Sequence, residues 1–206
     1  MTTIALIDHG AGNLVSMEQA LHRAGADDVV VVDAAAGLTG CDGVVLPGVG
    51  ATGPAMRTLR RAGFVGALRA YDGPLLGVCV GMQLLFDHSL EDRTDCLGLL
   101  AGEVRAVEAS PLPHMGWNDV DTLASMGETI SGLSSGPFYF VHSFVPEPSD
   151  RSIIVGTTTY QADTFASVVR RGPVIGVQFH PERSAEGGLD LLAGFVDMCR
   201  EVARAA

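Results

Sequence analysis

Four short apolar runs constrain the fold of this 206-residue chain more than any other feature. They are Thr3-Ile4-Ala5-Leu6-Ile7, Val29 to Val32, Gly43-Val44-Val45-Leu46 and Leu75-Leu76-Gly77-Val78. After Thr3 none shows the polar alternation of a strand with one wet face, so they predict strands covered on both sides. Helical patterns alternate with them. Leu14, Met17, Leu21 and Ala24 recur at helical spacing, and further helices are predicted from about Thr52 to Arg60, Val65 to Ala70 and Gly81 to Phe86. This alternation indicates an α/β fold with a mostly parallel central sheet and helices on both faces. The second half changes character. Gly102 to Glu108, Asp119 to Thr122, Phe138 to Val141, Ile153 to Tyr160, Phe165 to Arg170 and Val174 to Gln178 read as strands with few helices between them, which predicts an antiparallel extension. A closing helix from about Gly188 to Arg204 sets Leu191, Leu192, Phe195, Val196 and Cys199 on one stripe. No repeat or linker interrupts the pattern, so residues 1–206 are expected to form a single domain.

Charge narrows the chemistry. The net charge is −11, which argues against a general nucleic-acid binder but leaves room for a partner with a basic patch. All 13 basic residues are Arg, which removes a Schiff-base lysine and a phosphate-binding Gly-Lys loop. Four scattered cysteines form no Cys-x-x-Cys pair, so no metal and no cofactor is expected. No run nears the roughly 20 apolar residues that span a bilayer, and Met1-Thr2-Thr3-Ile4 lacks the basic region of a signal peptide. A cytoplasmic location is the expectation.

Cys41, Cys96 and Cys199 read as small apolar filler or surface thiols, whereas Cys79 is set apart by its flanks. Gly77-Val78-Cys79-Val80-Gly81 has the spacing of a nucleophile elbow with Cys in the place of Ser. Small neighbours permit a sharp strand-to-helix turn, and the helix N-terminus is expected to favour a thiolate. The Val80 N–H is then free to meet an oxyanion. A nucleophile needs a base, and the base an orienter. Among six histidines, His180 stands in Gln178-Phe179-His180-Pro181-Glu182, at the end of an apolar strand. Pro181 disfavours helical geometry before it, so His180 is extended and Glu182 lies on the same side. The carboxylate can fix the imidazole tautomer. A second oxyanion donor is sought in Pro47-Gly48-Val49-Gly50, whose glycines also permit a peptide flip.

Gly-Val-Cys-Val-Gly-Met-Gln at 77–83, together with His180-Pro181-Glu182, resembles the class I (triad) glutamine amidotransferases. Asp8-His9-Gly10-Ala11-Gly12-Asn13, Leu46-Pro47-Gly48-Val49-Gly50, Pro113-His114-Met115-Gly116-Trp117-Asn118 and Tyr139-Phe140-Val141-His142-Ser143 narrow the resemblance to the glutaminase subunits of imidazole glycerol phosphate synthase. The resemblance runs along essentially the whole chain. It implies a flavodoxin-like fold and glutamine hydrolysis by Cys79, His180 and Glu182, with Gly48, Val49, Gly50 and Val80 at the oxyanion. It further implies that Gln83, His142, Ser143 and Phe144 hold glutamine. Ammonia would pass to a (β/α)₈-barrel cyclase partner in a heterodimer, docked on Asn13, Met115, Trp117, Asn118 and Arg183. There it would enter imidazole glycerol phosphate and aminoimidazole carboxamide ribonucleotide, in histidine biosynthesis. His9, Val80 and Arg183 stand where Tyr, Leu and Lys are more usual. His114 reads as structural. The competing readings are a triad amidotransferase of another pathway (feeding pyridoxal phosphate, anthranilate or carbamoyl phosphate synthesis), a non-catalytic binding subunit and a cysteine peptidase of similar topology.

Overall fold

The computed structural model describes residues 1–123 and 129–205. The first half contains β1 (Thr3–Ile7), α1 (Leu14–Arg23), β2 (Asp28–Val32), β3 (Gly43–Leu46), α2 (Thr52–Arg61), α3 (Phe64–Arg69), β4 (Leu75–Val78) and α4 (Val80–Gln83). The second contains β5 (His88–Ser89), β6 (Thr94–Asp95), β7 (Gly102–Ala106), β8 (His114–Thr122), β9 (Gly136–His142), β10 (Phe144–Pro148), β11 (Ile154–Tyr160), β12 (Asp163–Arg171), β13 (Val174–Val177) and α5 (Ala185–Ala205).

Strands β2-β1-β3-β4-β13 are parallel and adjacent in that order, as in a flavodoxin-like sheet. β3 and β4 are buried along their whole length, as uninterrupted apolar runs require. β2 departs from this expectation: it is the edge strand, and Val30 and Val31 are 38% and 44% exposed. β12, β11, β8 and β9 continue the sheet in antiparallel fashion. β8 begins at His114 rather than Asp119, because residues 114–120 pair in unbroken register with 136–142.

The strand expected from Gly102 to Glu108 forms as β7, but it belongs to a separate sheet, β10-β7-β5-β6, whose other strands were not expected. β5 and β6 are too short to leave a pattern. β10 carries Pro146 and Pro148, and lies at an edge, where a missing N–H removes no ladder bond. Arg105 on β7 ties this sheet to β12 through paired hydrogen bonds to Asp163 of 2.8 and 2.9 Å. The guanidinium holds the Asp163 carboxyl below the usual carboxylate range.

The helix expected from Gly81 to Phe86 is a single turn, Val80–Gln83. Its extension fails for a tertiary reason. The carbonyls of Leu84, Leu85 and Phe86 accept N–H groups from Leu97, Leu99 and Gly98, and these bonds replace helical ones. The stripe on α5 behaves as expected. Leu191, Leu192, Phe195, Val196 and Cys199 are all buried, and each large apolar side chain contributes roughly 1.5–3 kcal/mol by leaving water. Among the described residues no helix is long and apolar enough to cross a membrane.

Candidate active site

β4 and β13 lie side by side, with Val78 opposite Val177, so residues 79 and 178–182 emerge at one sheet edge. Cys79 N–H donates to Val177 O at 2.8 Å, which carries the sheet one residue into the elbow. Cys79 then adopts φ 54° and ψ −112°, a conformation costing a non-glycine residue about 1–3 kcal/mol. The flanking glycines make this turn possible. A Cβ on Gly81 would stand 1.8 Å from Leu46 O, and one on Gly77 2.7 Å from Gly81 O.

His180 is held by its backbone, whose N–H donates to Tyr139 O at 2.9 Å. Its Nδ1 lies 2.9 Å from Glu182 Oε1, and both side chains are buried. His180 is therefore no surface histidine, and the Glu182 carboxylate stands beside it. His180 Nε2 is buried and makes no hydrogen bond of good geometry, as is common before substrate tightens a catalytic site. Burial disfavours the imidazolium, but Cys79 and Glu182 outweigh it, and the His180 pKa rises to about 10. This lies above the ~6.5 of an unfolded histidine. The His180 proton therefore adds stability in full below about pH 6.5, and that contribution fades as the pH climbs to about 10. Cys79→Ala should bring the His180 titration down, as followed by NMR of the imidazole carbons. An unchanged titration would mean that the sulfur does not act on His180.

A cavity of about 230 Å³ opens at Cys79. Val49, Gly50 and Val80 line it, as do Gln83, His142, Ser143 and Phe144. Gly48 stands behind this wall, and a Cβ there would meet Val80 Cβ at 2.8 Å and Gly81 N at 2.9 Å. The segment at 48–50 thus packs directly on the elbow. Both hydrogens of Gln83 Nε2 are engaged, by Phe144 O at 2.8 Å and Gln178 Oε1 at 3.3 Å. Only Gln83 Oε1 is left to meet a ligand, as an acceptor.

Two polar residues of this site escaped the sequence reading. Glu91 brings a carboxylate to the cavity, with Oε2 accepting the Thr52 N–H at 2.9 Å. It lies in a loop between two-residue strands and left no signal. Gln178 is fully buried and its Nε2 is 3.7 Å from Cys79 Sγ. A lone amide between Val177 and Phe179 was the available clue, since a buried amide must find partners.

The residues expected to meet a partner divide. Met115 and Trp117 are 61% and 54% exposed, which excludes core packing for the one tryptophan. Trp117 stands edge-on to Tyr139, and the Arg183 guanidinium lies 4.0 Å over the Tyr139 ring. Asn13 caps α1 and lines a narrow crevice shared with His180 and Glu182. Asn118 parts from this group. Strand alternation turns it away from Met115 and Trp117, and its amide donates to Thr159 O at 3.0 Å.

A strained cysteine beside a buried His–Glu pair, where parallel strands end, is the arrangement that thiol-dependent acyl transfer requires. The chain matches the model of the class-I glutamine amidotransferases over residues 5–198 and belongs to that family. Within it, the chain is 44% identical over 211 residues to imidazole glycerol phosphate synthase subunit HisH of Moorella thermoacetica, covering 100% of this chain and 99% of that protein. It is 42% identical over 207 residues to the HisH subunit of a Cyanothece species, covering 97% of this chain and 98% of that one. The solved structure of PurLQS from Thermotoga maritima shares the fold, with TM-score 0.70 and 18% identity over 95% of this chain and 98% of that chain.

Proposed function

We propose that this chain is the glutaminase subunit of an imidazole glycerol phosphate synthase. The observation that carries the reaction is the cavity itself, which Cys79 lines together with two residues able to accept from an ammonium group, Gln83 and Glu91. Glutamine fits that polarity, with its carboxamide at Cys79 and its α-ammonium at the acceptors. The choice of pathway is supported by relatives of that name, similar over nearly their whole length.

Cys79 sulfur attacks the carboxamide carbon and forms a C–S bond. The oxyanion is met by Val80 N–H and the backbone of Gly48, Val49 and Gly50. His180 gives its Nε2 proton to the departing nitrogen, the C–N bond breaks, and ammonia leaves. Water then attacks the thioester, His180 takes its proton, and glutamate is released from the regenerated sulfur. Glu182 steadies the imidazolium throughout. Ammonia passes to a cyclase partner, docked on the exposed patch of Met115, Trp117 and Arg183 with Asn13 at its rim. There it is incorporated into imidazole glycerol phosphate and aminoimidazole carboxamide ribonucleotide. Asn118 supports that face from beneath.

Mixing the chain with a (β/α)₈-barrel cyclase and its nucleotide substrate tests this. Glutamate release should rise steeply over that of the chain alone, with one imidazole glycerol phosphate formed per glutamate. Full activity without the cyclase would remove the partner-gating part. Glutamate release without product in the reconstituted pair would assign the chain to another amidotransferase.

A further inference from the structure

One hydrogen-bonded chain runs from β8 to the Cys79 sulfur. Asn118 Nδ2 donates to Thr159 O and, at 3.2 Å, to His114 Nε2. His114 Nδ1 lies 3.0 Å from His142 Nε2, and His142 Nδ1 lies 3.1 Å from Phe144 O. Gln83 Nε2 shares that carbonyl and reaches Gln178 Oε1, and Gln178 Nε2 ends the chain at Cys79 Sγ.

Every donor in it has one possible direction. A carbonyl only accepts, so His142 carries its proton on Nδ1. Burial lowers the His142 pKa to about 3 and the His114 pKa to about 4, so both rings are neutral at pH 7. His142 Nε2 is then an acceptor, His114 must hold its proton on Nδ1, and His114 Nε2 accepts from Asn118. Phe144 O receives two donors, which orients the Gln83 amide. Gln83 in turn holds Gln178 Oε1, and that turns the Gln178 N–H groups toward the sulfur.

We propose that His114 is a positioning residue for the nucleophile: through His142, the Phe144 carbonyl and Gln83, it fixes which face of the Gln178 amide the Cys79 sulfur meets. With His114 gone, His142 Nε2 has no donor, and the amides beyond it lose their single orientation. The opposite face of β8 carries Met115 and Trp117, so a body docking there presses on the strand where this chain begins. The kinetic side of the proposal rests on the glutaminase reading above, but its geometric side does not.

The test uses the full chain and needs no substrate. Cys79 is alkylated with iodoacetamide at pH 7 without glutamine, and the modified peptide is assigned by mass spectrometry. Burial pushes the Cys96 and Cys199 thiols up to about 12 and raises that of Cys41, so Cys79 is the thiol that responds. His114→Phe keeps the ring between Phe140 and Tyr160, at centroid distances of 4.9 and 4.1 Å, and removes both hydrogen bonds. Gln178→Leu removes the last donor. Each should slow alkylation by about fivefold to tenfold, the effect of losing one ordinary hydrogen bond. The double variant should be no slower than Gln178→Leu alone, because both act through one path. In glutamine turnover His114→Phe should lower kcat with less change in KM. Should His114→Phe fail to fold, His142→Asn keeps the donor to Phe144 O, loses Nε2, and should show the same non-additivity. Unchanged alkylation in the His variant, or additive effects in the double variant, overturns the proposal. Wild-type protein that alkylates as described but releases no glutamate would refute the glutaminase reading and leave this result standing.

Discussion

Cys79→Ala should lower glutamine hydrolysis by at least about 10⁴-fold in the presence of cyclase, without unfolding the chain. The loss is large because a glutamyl thioester can form only on that sulfur. Water cannot replace it directly, since the elbow presents the side chain at a fixed point beside Val80. The fold should survive, because the deleted sulfur's hydrogen bonds to Val141 O and from Gln178 Nε2 are long, at 3.8 and 3.7 Å, and its interaction with His180 serves the site rather than the core. Glutamate release at saturating glutamine measures the rate, and circular dichroism checks the fold. Adding His180→Gln to Cys79→Ala should cost little more, because the two groups act as a unit. Activity above about one per cent of wild type would mean that another group attacks the carboxamide.

Gly81→Ala should destabilise the protein by about 3 kcal/mol or more, at the upper end of what overpacking costs. Its Cβ would sit 1.8 Å from Leu46 O, and neither partner can give way cheaply. Leu46 belongs to β3, which is paired on both sides, and Gly81 belongs to the turn that sets Cys79. Relief would have to move the Pro47-Gly48-Val49-Gly50 segment, so turnover should fall along with stability. Gly66→Ala provides the contrast. Nothing lies within 4 Å of a Cβ there, on an exposed position of α3, and the change should stabilise by about 0.5–1 kcal/mol. Urea unfolding of both variants measures the difference. Equal stability of Gly81→Ala and wild type would show that β3 and the elbow are not packed as described.

Some of this protein is local and could be read along the chain. The strands β1, β3 and β4, the glycines around Cys79, the His180-Pro181-Glu182 turn and the α5 stripe depend on residues a few positions apart. Backbone sterics and side-chain period act over that range. The placement of His180 beside Cys79 was also anticipated, since both end apolar runs that parallel strands align.

What the chain alone did not disclose is set by partners distant in sequence. The α4 helix stops after one turn because residues 97–99 occupy its next carbonyls. The second sheet forms because β10 finds β7, despite two prolines. Glu91 reaches the cavity from a loop with no pattern of its own, and Gln178 looks from sequence like a flaw in a strand. The His114–His142 pair exists only through the register of β8 against β9, where these two residues face each other. The physical reason is common to all of these. Apolar burial is non-directional and leaves a periodic trace in sequence, whereas a hydrogen bond needs a particular donor at a particular angle, and only the folded backbone supplies it.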